Sequence, residues 1–391
     1  MEKFTTAIIG GGASGLILAA RLKKTKGVVL FEKLDRVGKK LSATGNGQGN
    51  ISNQAVESTP YFSVAGGQER AQEIIRQYGK DSFLQFVEGL GGLCLTDERG
   101  RIYPASRQAS SVTDLLRKEV AARGVDVRLS HSVERLQKTD GGFLLTIKNG
   151  EGQSVCCAEK VVLCAGGKAA KNFGTDGYGH ALAGMLGHTT TALYPSLVQL
   201  KTDTKWTKTL KGIRAQDCVL TAYVDGEEIS LSGDVIFTEY GLSGDAIFRL
   251  SAYVVDRKNV RVSLDFAPSI EKAQLAKFLE NKRAQKGEDE LLCGIVNNQI
   301  GRAIVRRAGE EGKSIASLVK AFEIGVTGNL GFDYAQVTKG GVPLSEVDDG
   351  LQSKKAKGLY LIGEVLDVDG ACGGFNLQWA YSSASLVAER L

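Results

Sequence analysis

Residues 5–15 read TTAIIGGGASG. A run of β-branched and apolar side chains stops at Gly10, and Gly12 and Gly15 come next in the spacing G-x-G-x-x-G. Each glycine has its own task in that spacing. Gly10 permits a tight turn, Gly12 lets the main chain approach a diphosphate, and Gly15 lets a helix lie close on a strand. The helix is predicted over 13–24, with Leu16, Ala19, Ala20 and Leu22 on its apolar side. Ala13 and Ser14 open it, where free N–H groups and the helix dipole favour an anion. A second apolar strand, Val28-Val29-Leu30-Phe31, ends in Glu32 and Lys33, about twenty residues past the glycines. A carboxylate at Glu32 can accept hydrogen bonds from a ribose diol. Together these features predict a Rossmann-type α/β dinucleotide site. The fingerprint serves NAD and FAD alike, and Glu32 by itself leaves both open.

Composition narrows the class. The 391 residues carry a net charge of +5, with no basic block, which argues for a small-molecule substrate and against a nucleic-acid partner. Proline is scarce at 5 while glycine reaches 49, so the glycines mark tight loops rather than a disordered tract. Seven cysteines form an odd set without a C-x-x-C, and there are only three histidines. That pattern predicts a reducing, cytoplasmic setting, with neither a disulfide framework nor a metal site. No apolar run reaches about 18 residues, so no membrane-spanning helix and no membrane partner is expected. The apolar N-terminus is better explained by the strand and glycine turn than by a signal peptide.

The segment after Glu32 decides between the cofactors. An NAD-binding unit would pass into another crossover helix. This chain instead gives residues 38–53, GKKLSATGNGQGNISN, a loop made mostly of backbone and amide. Such a loop can run along an extended cofactor and satisfy a flavin's polar edge without adding charge. It resembles the loop of the BaiN-like family of FAD-dependent oxidoreductases, the aminoacetone-oxidase-type flavoproteins. The family pattern is roughly G-[RK]-K-L-x-x-[ST]-G-x-G-R-C-N-x-[ST]-N. Gln48 and Gly49 stand here where that pattern has Arg-Cys. The resemblance implies noncovalent FAD, with Lys39, Lys40 and Leu41 along its diphosphate and ribityl chain and Asn46 and Asn50 nearer the ring.

Later segments extend the resemblance over nearly the whole chain. TDERGRIYPASR at 96–107 matches a family segment, and a helix is predicted over 108–123. Short alternating runs from Val125 to Cys164, with turns at Asp140-Gly141-Gly142 and Asn149-Gly150, read as a β-meander. In glutathione-reductase-like folds the residue at Val133 offers its main chain to the adenine. Ala165, Gly166 and Gly167 would make a second pass near the cofactor, and Thr175 or Asp176 would cap the next helix. Near the C-terminus a strand is predicted over 359–363, delivering Gly363, Glu364 and Asp367. Gly370, Gly373 and Gly374 then lead into a helix starting near Phe375-Asn376. The resemblance places that helix start at the flavin O2 edge, where its dipole would stabilise negative charge. Gly374, Phe375, Asn376 and Leu377 are the expected contacts.

The FAD-binding domain is thus expected from both chain ends, 1–190 and 345–391. It is interrupted by a small antiparallel β-barrel, 191–268 and 323–344, and a helical module, 269–322. The loops Phe237–Asp245 and Thr338–Val342 are candidates to line substrate space. No C-x4-C pair and no second G-x-G-x-x-G occur. The expected activity is therefore NAD(P)H-driven reduction of an activated C=C bond, such as a steroid or bile-acid enone, at a bound flavin. Tyr240 and Tyr334 are nominated as proton donors. Two alternatives stay open: a flavin-dependent amine or aminoketone oxidase using O2, and a flavin-holding protein associated with RNA or another partner.

Overall fold

Strand Glu2–Ile9 is exposed over its first residues and wholly buried from Thr6 onward. The buried half lies between two parallel neighbours, as the unbroken apolar run requires. Ile9 pairs with Phe31 on one side and with Leu163 on the other. Leu163 pairs in turn with Leu361. Four strands therefore end in one row, and the next residue of each, Gly10, Glu32, Cys164 and Ile362, forms the carboxyl edge of the sheet. Ligands of open α/β sheets bind at that edge.

The computed structural model describes Met1–Leu391, the side chain of Asp289 excepted. The chain forms two compact units, Met1–Tyr194 with Gln336–Leu391, and Pro195–Ala335. The first is built on a seven-stranded sheet. Its parallel part runs Asp126–Arg128, Val28–Phe31, Glu2–Ile9, Gly152–Leu163 and Leu359–Leu361. Strand Gly152–Leu163 is long because it serves twice. It also pairs antiparallel with Gly142–Asn149, which pairs with Ser132–Thr139 to complete the meander. Helices Ala13–Arg21 and Phe375–Ala388 pack against each other, so the first and last helices share one core.

The second unit holds a closed six-stranded barrel, in the order Leu200–Thr202, Gly241–Ser243, Glu227–Phe237, Arg214–Val224, Arg261–Asp265, Phe322–Asn329. Its strand pairings are antiparallel. Helices Lys272–Arg283, Asn298–Glu311 and Ile315–Lys320 contribute Leu275, Leu279, Ile300, Ile304 and Leu318 to the same apolar cluster as the barrel residues Leu220, Phe237 and Phe322. The helical segment therefore shares the barrel's core. The unit ends at Ala335, ahead of the expected return at 345.

Three local readings change. The first helix stops at Arg21 rather than near Lys24, because Leu22 turns to extended backbone (φ −57°, ψ 132°). The 237–245 segment is not an open loop. It contains strand Gly241–Ser243 and leads into helix Asp245–Val254, entered through Gly244 at φ +106°. The late strand closes at Leu361, and Gly363–Val365 is a 3₁₀ turn with Gly363 at φ +71°. No described helix is long and apolar enough to cross a membrane.

The glycine turn divides into structural and open positions. A methyl group at Gly15 would collide with the Gly10 carbonyl and approach Cys164 Sγ to 2.9 Å, whereas one at Gly12 meets nothing within 4 Å. Gly15→Ala is therefore expected to lower unfolding stability by about 2–3 kcal/mol through overpacking. Gly12→Ala should stay within about 0.5 kcal/mol of wild type, since Gly12 lies at φ −79°, ψ −167°. Urea denaturation of both variants provides the comparison.

Candidate functional site

The site at the carboxyl edge of the sheet starts with Glu32. Its carboxylate is buried at the strand end, where Oε2 accepts from Gly11 N (2.8 Å) and Oε1 from Leu34 N (2.8 Å). Burial raises its pKa, partly offset by those two N–H donors. Two donors leave lone pairs on both oxygens. Beside it, helix Ala13–Arg21 opens with no side-chain cap and no acid in its first turn. Uncapped N–H groups, open space at Gly12 and a fixed carboxylate fit the diphosphate and ribose of an adenine dinucleotide. Cys164 braces the turn from below, its Sγ 3.2 Å from the carbonyls of Ile9 and Gly10. Burial pushes that thiol's pKa well up, so it acts as a packed neutral group.

The other sequence candidates fall at varied places in the first unit. Lys33 pairs with Asp176 (2.9 Å), whose Oδ1 also accepts from Tyr178 N at the start of helix Tyr178–Met185. Lys39 pairs with Asp35 (2.6 Å). Lys40 Nζ meets Glu364 Oε2 at 2.9 Å, and Glu364 Oε1 accepts from Thr338 N at 2.8 Å. This acid therefore joins the 38–53 loop, the returning strand Val337–Lys339 and the C-terminal segment. Leu41 is buried at the start of the 3₁₀ turn Leu41–Ala43. Asn46 is exposed at the loop tip with φ +54°. Asn50 is buried, its amide nitrogen placed to donate to the carbonyls of Ser52 (2.9 Å) and Ile102 (3.2 Å), so it braces the loop.

Val133 pairs with Ile147 in the meander. Ala165, Gly166 and Gly167 come after the central strand, and Thr338 Oγ1 accepts from Lys168 N and Ala169 N just beyond. Asp367 is fully buried and holds the 63–65 turn through Ser63 Oγ, Val64 N and Ala65 N. Gly374 packs directly on the Ser52 backbone and Asn53 Nδ2 donates to Gly373 O (3.0 Å), which joins the 38–53 loop to the last helix. The Asn376 amide is committed locally. Oδ1 accepts from Gly370 N (2.8 Å) and Nδ2 donates to Gly370 O (2.9 Å). The helix-start N–H groups of Phe375, Asn376 and Leu377 carry no side-chain cap. Loop Thr338–Val342 is buried throughout. Tyr240 and Tyr334 belong to the second unit, and Tyr334 is 61% exposed. Trp379 and Ser383, which touch Gly363, are residues that sequence reasoning misses. Their signal is an aromatic and a hydroxyl four apart on a helix that is buried along almost its whole length.

The sequence matches the HI0933-like protein Rossmann domain over residues 4–390. The chain belongs to the HI0933-like family. Among its relatives, the 3-dehydro-bile acid delta(4,6)-reductase of Clostridium scindens is 34% identical over 403 residues, covering 97% of each chain. The ribosomal RNA dihydrouridine synthase of Escherichia coli is 27% identical over 411 residues, covering 100% of this chain and 98% of the relative. Among solved structures, the 3-ketosteroid-delta4-(5alpha)-dehydrogenase of Rhodococcus jostii RHA1 superposes with a TM-score of 0.52 at 13% identity, covering 99% of this chain and 96% of the other. Family and fold place the chain among FAD-dependent oxidoreductases.

The first unit also contains a Ser–His–Glu arrangement. His188 Nδ1 lies 2.7 Å from Glu346 Oε2, and Nε2 lies 2.7 Å from Ser353 Oγ. Nucleophilic catalysis would need an accessible hydroxyl. Here Ser353 is buried, and its Oγ already accepts from Lys355 N (3.1 Å) and Ala356 N (2.9 Å). The group is a clasp holding 346–356 onto 187–189. Glu346 also receives Lys355 Nζ (2.7 Å) and the Thr189 hydroxyl (2.7 Å). Burial opposes its charge, but these donors prevail and hold its pKa at about 2. Burial lowers the pKa of His188. Both groups bind protons more weakly folded than unfolded. Stability should therefore fall as pH drops below about 6.5 for His188, and again from about 4.5 towards 2 for Glu346. Glu346→Gln is expected to cost about 2 kcal/mol at pH 7 and to flatten the acid limb below pH 4.5, as urea titrations across pH would measure.

Proposed function

We propose that the protein is an FAD-dependent reductase of carbon–carbon double bonds conjugated to a carbonyl, with NAD(P)H as electron donor and a bile-acid-like or steroid enone as substrate. The observation that carries this reading is the end-to-end likeness, at 34% identity, to a relative named for bile-acid reduction. When bound, FAD supplies two-electron redox chemistry between a nicotinamide and such a bond. The chain's own residues then have defined tasks. Glu32 accepts from the ribose hydroxyls, while Gly12, Ala13 and Ser14 present N–H groups to the diphosphate. Lys39, Lys40 and Leu41 run along the cofactor towards the ribityl group. Phe375, Asn376 and Leu377 would present helix N-terminal N–H groups able to stabilise negative charge on the ring.

The overall change balances simply. The substrate's β-carbon receives a hydride equivalent and its α-carbon a proton, while NAD(P)H is oxidised to NAD(P)⁺.

A second reading has its own support. Two relatives of 27% identity, from Escherichia coli and Haemophilus influenzae, are named ribosomal RNA dihydrouridine synthases. The uracil C5=C6 bond is also conjugated to a carbonyl, so the same chemistry would apply to a uridine in RNA. The chain's modest net charge of +5 favours the small substrate.

Anaerobic stopped-flow spectroscopy tests both readings. NADH or NADPH should bleach the bound flavin, and a 3-oxo-Δ4,6 steroid should restore its colour. Recolouring by uridine-containing RNA and by no enone would select the second reading. Recolouring by O2 alone would contradict both and favour an oxidase.

A further inference from the structure

We infer that Trp379 and Ser383 are positioning residues for the cofactor, gripping both main-chain polar groups of Gly363 and so holding that residue against the glycine turn. The inference rests on the flavin reading above and extends it to a helix turn outside the expected contacts.

Helix Phe375–Ala388 is buried along almost its whole length, with Gln378, Ser382, Ser383 and Ser385 all at 0% exposure. Polar side chains in such a helix need partners. Ser385 Oγ donates to Tyr381 O (2.7 Å), four residues back, and satisfies itself locally. Ser383 goes further. Its hydroxyl donates to Trp379 O (2.7 Å) and accepts from Gly363 N (3.0 Å). Trp379, 1% exposed, donates its indole Nε1–H to Gly363 O (3.1 Å). One turn of helix therefore holds the N–H and the carbonyl of a single residue.

That residue has little freedom elsewhere. Gly363 lies at φ +71°, and a methyl group there would approach Ser14 Oγ to 2.6 Å and Ser14 Cβ to 3.0 Å. Ser14 is the second residue of the helix that leaves the glycine turn. Gly363 thus lies directly on the dinucleotide turn, with Glu364 next, reaching Lys40 and Thr338. Indole and hydroxyl fix the height and tilt of this peptide.

The test titrates FAD into deflavinated protein and records the bound flavin's visible bands for Trp379→Phe, Ser383→Ala and Ser385→Ala. Ser385→Ala is the control, since it removes an equally buried helix hydroxyl without touching Gly363. One lost hydrogen bond corresponds to roughly tenfold in affinity. Trp379→Phe and Ser383→Ala should each weaken FAD about tenfold and alter the flavin bands, while Ser385→Ala keeps wild-type affinity and spectrum. Should Trp379→Phe fail to fold, Ser383→Ala against Ser385→Ala still decides. Equal affinities and spectra for those two serine variants would overturn the inference. Wild-type protein refusing FAD would instead overturn the flavin reading beneath it.

Discussion

The first unit depends on close approach at one edge of one sheet. Where the strands ending in Ile9, Leu163 and Leu361 stop side by side, the chain comes too close for a Cβ at Gly10, Gly15 or Gly363. Gly10 presses on the Cys164 and Ala165 backbone, Gly15 on Gly10, and Gly363 on Ser14. These contacts bring residues more than three hundred positions apart to the same few ångströms. The cost is glycine at positive φ, where other side chains are strained, in Gly10 at φ +112° and Gly363 at φ +71°. The return is a floor of main chain, bare enough for a diphosphate to approach.

Charge is then placed sparingly on that floor. Glu32 is the buried acid at the second strand, and two N–H groups hold it. Glu364 is balanced by Lys40, and Asp367 is occupied by three donors of the 63–65 turn. The helices beginning at Ala13 and Phe375 carry no acid in their first turns. Their partial positive ends are left for an anionic ligand. Glu364 and Asp367 are thus engaged by side chains of other segments, whereas Glu32, beside the glycine turn, is held by main-chain N–H groups.

Much of this is legible in the sequence because it rests on local rules. The glycine spacing, strand Val28–Phe31 and the helix beginning at Phe375 stem from turn chemistry and periodicity over a few residues. Helix Asp245–Val254 is harder to see, although Ala246, Ile247, Leu250 and Val254 keep helical spacing, because it is short and comes directly after strands. Side-chain commitments are harder still. Asn376 has the look of a ligand contact, yet its amide closes the loop before its own helix. The His188–Glu346–Ser353 clasp joins residues 158 and 165 positions apart, and no local pattern encodes it. Single-sequence reading sees which groups are available, while tertiary pairing decides which are already in use.

On the flavin reading the two chain ends build one site for a whole dinucleotide, with the adenylate half on the Gly10–Gly15 turn and Glu32. Calorimetric titration of deflavinated protein with FAD, FMN and riboflavin tests it most directly. One FAD per chain, bound at least roughly a hundredfold more tightly than FMN or riboflavin, is the expected result. Equal affinity for FAD and FMN would mean that the glycine turn and Glu32 hold no part of the cofactor.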